Sequence, residues 1–136
     1  MKKFSVIMAL VIALFIGGNA SAASWEVVSA DDSIVTSIDK NSIKRGTDSK
    51  KFPKFNRKDG YSAIVKLDVK VSESEKMDMV YLVSFYEKNG ERMFCLLDGY
   101  GKTTYPAKES DVIEEKVDTE GYVWSKVWDY IEKNLK

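Results

Sequence analysis

No histidine occurs anywhere in the sequence. That absence removes the Ser-His-Asp and Cys-His catalytic sets, and with them any zinc site built on imidazole. Cysteine is nearly missing too. Cys95 stands alone, so an internal disulfide is excluded even in an oxidising compartment. It lies in the apolar run Met93-Phe94-Cys95-Leu96-Leu97, which reads as a buried, inert thiol; an intermolecular disulfide is the alternative. Net charge is lacking as well, with 21 cations against 21 anions. A neutral total argues against nucleic acid as a partner, because that contact needs an excess of cations along the phosphate backbone.

Long hydrophobic runs are also absent. The apolar stretch Phe4 to Ile16 has thirteen residues with Ser5 as its only polar member, short of the roughly 20 that a membrane-spanning helix needs. Lys2 and Lys3 precede it, Gly17-Gly18 breaks it, and Ala20-Ser21-Ala22 offers small residues for cleavage. This is the pattern of a secretory signal, residues 1–22, so the mature chain is expected outside the cytoplasm; an uncleaved anchor is the alternative. No cysteine follows the run, so a lipid anchor is not expected, nor is a transmembrane helix after cleavage. Residues 23–136 then form a single domain of 114 residues, long enough to bury a core, with 19 cations against 21 anions.

Within that domain the periodicity is mostly that of strands. Trp25 to Val28 opens a first strand, Asp31-Asp32 turns the chain, and Ile34 to Asp39 returns antiparallel to it; Lys40 to Ile43 reads as a helical turn. Tyr61 to Val71 alternates cleanly, with Tyr61, Ala63, Val65, Leu67, Val69 and Val71 on one face and only Ile64 out of pattern. Met77 to Tyr86 and Arg92 to Leu97 are apolar on both faces, as central strands are. Between them Asn89-Gly90 suits a two-residue type I′ turn. Gly99 and Gly101 suggest a bend or bulge, and Pro106 an end to the strand. The spacing then becomes helical: Trp124, Val127, Trp128, Ile131 and Leu135 form one stripe. The fold class is α+β, an antiparallel meander of about 5–6 strands with a C-terminal helix packed on one face.

Three short motifs carry no chemistry in this context. Ser37-Ile38-Asp39-Lys40 spells SxxK without the larger fold and further motifs its enzymes need. Gly101-Lys102-Thr103 has Leu96 where a phosphate loop needs its first glycine. Asp31-Asp32 and Glu114-Glu115 lack the alternating ligand spacing of a calcium loop. No catalytic residue, metal ligand or cofactor is expected.

Charge is placed unevenly. Lys44 to Gly60, "KRGTDSKKFPKFNRKDG", holds seven cations against Asp48 and Asp59, while Glu109 to Glu120 holds six acids against Lys116 alone. A connection of this length without structure of its own is uncommon, and is functional or disordered; it makes one strong field if it folds back on itself, and is otherwise a flexible strip. Screening falls off over about 8 Å at physiological salt, so Lys50, Lys51 and Lys54 act together, as do Arg57 and Lys58. Phe52 and Phe55 either anchor a partner or pin the segment to the domain. The candidate binding residues are therefore Lys50, Lys51, Phe52, Lys54, Phe55, Arg57 and Lys58, and a solvated connector is the alternative.

The stretch "WEVVSADDSIVTSIDKNSIKR", Trp25 to Arg45, resembles the opening of the surface-adhesin protein E family of Gram-negative bacteria: a tryptophan strand, an Asp-Asp turn, a strand ending Ile-Asp, then a Ser-Ile-basic turn. The hairpin from Met77 to Leu97 and the closing "GYVWSKVWDYIEKN" fall in the family's order. The resemblance implies a small sheet with a C-terminal helix at the cell envelope, and adhesion to extracellular-matrix or serum proteins. It departs from the family's second cysteine near the end of the last helix, where Glu132 and Asn134 stand here. The expected function is a non-enzymatic, adhesin-like module for a host or extracellular macromolecule, polyanionic glycans included. A periplasmic scaffold or small-ligand domain is the alternative, and a homodimer is an open assembly.

Overall fold

The computed structural model describes residues 23–118 and 122–135. The expected signal segment, residues 1–22, lies outside the described residues. Seven strands form one antiparallel sheet: β1 (Trp25–Ala30), β2 (Ile34–Asp39), β3 (Lys44–Thr47), β4 (Arg57–Lys70), β5 (Lys76–Lys88), β6 (Glu91–Tyr100) and β7 (Glu114–Lys116). Their order is β1-β2-β4-β5-β6-β7, and β3 pairs with β4 as well. A helix, α1 (Tyr122–Asn134), follows the last strand. The expected class holds. The strands beyond the expected 5–6 come from β3 and β7, too short to show a period.

β4 accepts two short strands along one edge. β2 lies against Val65 to Val69 and β3 against Arg57 to Ser62, separated by a 3-10 turn at Lys40–Ser42. Asp39 caps that turn through the Asn41 amide and also takes the Ser24 amide at 3.0 Å. On the next edge β4 and β5 pair without interruption from Tyr61↔Phe85 to Lys70↔Lys76. Asn89 and Gly90 both have positive φ, 55° and 82°, the backbone that a type I′ turn needs to match strand twist.

One face of the sheet meets the helix. Ile38, Ala63, Val65, Val83, Phe85 and Val117 pack against Val127, Trp128 and Ile131. Val127 and Ile131 are fully buried and Trp128 is 4% exposed. Aromatic geometry ties the layers together: Trp124 stacks on Phe94 at 4.4 Å, and Trp128 meets Phe85 and Tyr61 edge-on at 5.9 and 5.7 Å. Arg92 lies over Trp128 at 5.2 Å and pairs with Asp118 and Asp129, linking β6 to the helix and to the chain just after β7.

The other face is apolar too. Leu82, Tyr86, Met93, Cys95 and Leu97 form a second buried cluster with Phe52, and Phe55, Ile64 and Val112 pack at its margin. Ile64, out of pattern in the sequence, belongs to this second core. Cys95 is 1% exposed, and burial pushes its thiol up to about 11, as an inert core cysteine requires.

Two layers on one sheet make a clear energetic forecast. Truncating Trp128 to alanine opens a cavity between helix and sheet and should cost about 3–5 kcal/mol, read by chemical denaturation.

Candidate functional site

The segment from Lys44 to Gly60 is ordered and folds back on the sheet. Its first residues pair with β4 as β3, a 3-10 turn spans Pro53–Phe55, and its end is already the start of β4. The reason lies on the neighbouring strands. A sheet with apolar side chains on both faces needs two covers, and this segment is most of the second.

The attachment point is Asp98, only 7% exposed. The register between β5 and β6 shifts between Val83↔Leu96 and Tyr81↔Gly99, so Leu97 and Asp98 together stand opposite Leu82. Such a bulge re-aims a side chain, and here the Asp98 carboxylate meets the cover. It accepts the Ser49 hydroxyl at 2.5 Å and the amides of Lys50 and Lys51 at 2.9 and 3.2 Å. Ser49 Oγ in turn accepts the Phe52 amide at 2.9 Å. Four consecutive residues are thereby folded around one carboxylate, and Phe52 drops into the second core at 6% exposure. A Thr47–Ser84 hydroxyl pair at 2.6 Å fixes the start of the segment, and Asn56 Oδ1 accepts the Ser49 amide across it.

The seven candidate residues divide by role. Phe52 is core, and Phe55 is half-buried beside it. Lys51 is exposed but tied, its Nζ donating to the Pro106 carbonyl at 2.7 Å, which joins the basic cover to the segment that follows β6. Arg57 lies over the Tyr86 ring at 4.0 Å and forms a bidentate pair with Asp59. That pairing raises the Arg57 guanidinium above its ordinary value and holds Asp59 below the usual carboxylate range. Lys50, Lys54 and Lys58 remain exposed. Lys54 has Glu109 at 3.6 Å, an exposed pair of small energetic weight. Earlier in the segment Arg45 lies over Tyr61 at 5.7 Å and Lys44 stands 3.9 Å from Asp48.

Opposite the cover's end, Glu114 of β7 accepts the Tyr86 hydroxyl and an ion pair from Lys88 at 3.0 Å. The Tyr86 hydrogen bond, with help from Lys88, holds the Glu114 carboxyl below its ordinary range; burial and Glu114 raise Tyr86. The acidic connection is thus partly structural, and Val117 within it is fully buried. Among the described residues, no group of three or more acidic or cysteine side chains is arranged to hold a metal ion, and no helix is long and apolar enough to cross a membrane.

Sequence reasoning missed Asp98, Ser49, Pro106 and Val112 as builders of the surface. The signal was present in the both-face apolarity of β5 and β6, which calls for a second cover. D98A strands two backbone amides and a buried hydroxyl, and should cost about 2–4 kcal/mol in chemical denaturation. Glu114, depressed in the folded state, stabilises above the unfolded-state carboxylate range, and that contribution is lost as pH falls through the lowered value. E114Q should accordingly flatten the acid limb of thermal stability against pH.

No family model matches the chain, and neither the curated proteins nor the solved structures searched hold a match to it.

Proposed function

We propose that this chain is an exported, non-enzymatic recognition module of a bacterial envelope or surface, whose contact is the exposed side of its basic cover. The observation that carries this reading is the way Asp98 fixes the backbone of Ser49 to Phe52 while Lys50, Lys54 and Lys58 stay exposed. A preordered backbone spares the ordering cost that a loose loop incurs on binding. The cations then act as fixed points for an anionic partner rather than as a mobile cloud.

The partner class that fits is an anionic macromolecule outside the cytoplasm, a polyanionic glycan or an acidic matrix or serum protein. Lys51 and Arg57 contribute indirectly: one ties the cover to Pro106, the other rests on Tyr86. The contact is therefore narrower than the seven residues suggested by composition.

Heparin-affinity chromatography separates these roles. The triple variant K50Q/K54Q/K58Q should elute at clearly lower salt than the parent with an unchanged melting temperature. Unchanged retention would remove the cover as a contact. Protease treatment of intact cells should destroy the protein if the surface reading is right, and spare it if it resides in the periplasm.

A further inference from the structure

β5 is longer than the strand beside it. Its pairing with β6 ends at Val80↔Tyr100, yet its pairing with β4 continues through Met79, Asp78, Met77 and Lys76. After Tyr100 the chain turns back, with the Thr103 amide on the Tyr100 carbonyl at 3.0 Å. Thr103 Oγ1 then accepts the Val80 amide at 2.9 Å. The Val80 N–H thus points away from β4. By the period of two along a strand, the backbone groups of Asp78 and Lys76 face the same way, and no strand of the described residues lies opposite them. A groove of about 970 Å³ runs along this edge, between Lys76–Tyr81 and Tyr100–Tyr105, with Met77, Tyr100 and Tyr105 exposed at 48%, 40% and 45%. An open edge beside an apolar groove is a template for strand addition.

The charges select the strand that fits. Within one chain like faces like: Lys70 stands opposite Lys76, and Asp68 opposite Asp78. Directly opposed like charges destabilise a sheet. The Asp68 carboxyl is accordingly raised above its ordinary value by its side-chain interaction with Asp78, by burial and by the Asp78 charge, against a smaller pull from Lys66 and Lys76. Between these two pairs, on the opposite face, Val69 stands against exposed Met77.

We propose that this edge of β5 pairs antiparallel with the same edge of a second copy, about a two-fold axis at Met77, so that Lys76 faces Asp78 of the second copy and Asp78 faces its Lys76. The register uses Asp78 and Lys76, the residues with outward backbone groups, as the hydrogen-bonded pairs. Met77 meets its own symmetry mate and extends the apolar row from Val69. Each like-charge pair gains an opposite charge on its open side. Moving the axis one residue, to Lys76 or Asp78, would set that residue against itself. The interface is isologous and closes at two copies. Its axis stands normal to the sheet, so both basic covers lie on one side of the joined sheet.

Sedimentation of the purified protein over a concentration series tests this. The parent should show a monomer–dimer equilibrium. K76E and D78K should each raise the dissociation constant about tenfold or more, without lowering the melting temperature at dilutions where the parent too is monomeric, because each also relieves a like-charge pair with Lys70 or Asp68. An equimolar mixture of the two variants should regain the dimer, since every reversed side chain again faces its opposite. M77C should oxidise to a covalent homodimer, the roughly 4.5 Å Cα separation of a non-hydrogen-bonded pair being compatible with a disulfide. A parent that stays monomeric, variants that dimerise undiminished, or a mixture that does not recover would overturn the proposal. Cross-linking of M77C to a different polypeptide would overturn it in favour of a foreign strand.

Discussion

A sheet that is apolar on both faces cannot be stable with one cover, and most of this structure follows from how the second face is closed. The helix seals the first face by aromatic packing. The second is sealed by a segment whose composition suits water, seven cations in seventeen residues. Such a segment has few apolar groups with which to hold itself down. It is held instead by Asp98, one carboxylate re-aimed by a bulge and shared among a hydroxyl and two backbone amides. Hydrogen bonds to a charged acceptor are stronger than neutral ones, and those around Asp98 allow a polar segment to serve as a lid over Leu82, Cys95 and Leu97.

The same clamp shapes what the surface offers. Folding the segment commits Phe52 to packing, Arg57 to ring stacking and the exposed Lys51 to a carbonyl, and leaves Lys50, Lys54 and Lys58 exposed without a tie to the backbone. Cation density in the sequence thus overstates the field, because part of it is spent internally. What the surface gains in return is order. The far end of β5 shows the opposite case, an edge on which no element of the described fold closes the ladder and like charges stand opposed.

Much of the architecture was legible in the sequence for a simple reason: strands of six residues or more repeat their period often enough to be read. β4, the β5–β6 hairpin with Asn89-Gly90, and the tryptophan helix all belong to this class. Trp124 and Trp128 sit where their spacing placed them, against Phe94 and Phe85. β3 and β7 were not legible, because four and three residues carry no period and their pairing depends on long-range partners. Whether the basic segment is ordered was not legible, because its order comes from a residue some fifty positions away. Ile64 was the local trace of that order, a break in alternation that belongs to the second core. The candidate contact was found by composition alone, and only geometry separates its committed cations from its exposed ones.

Amide hydrogen exchange at Lys50 and Lys51 bears most directly on this arrangement. If Asp98 holds the cover closed, both amides exchange only through large-scale unfolding, with protection close to that of the central strands. Exchange at free-loop rates in the otherwise folded protein would mean that the second face is not sealed this way, and the account would fail.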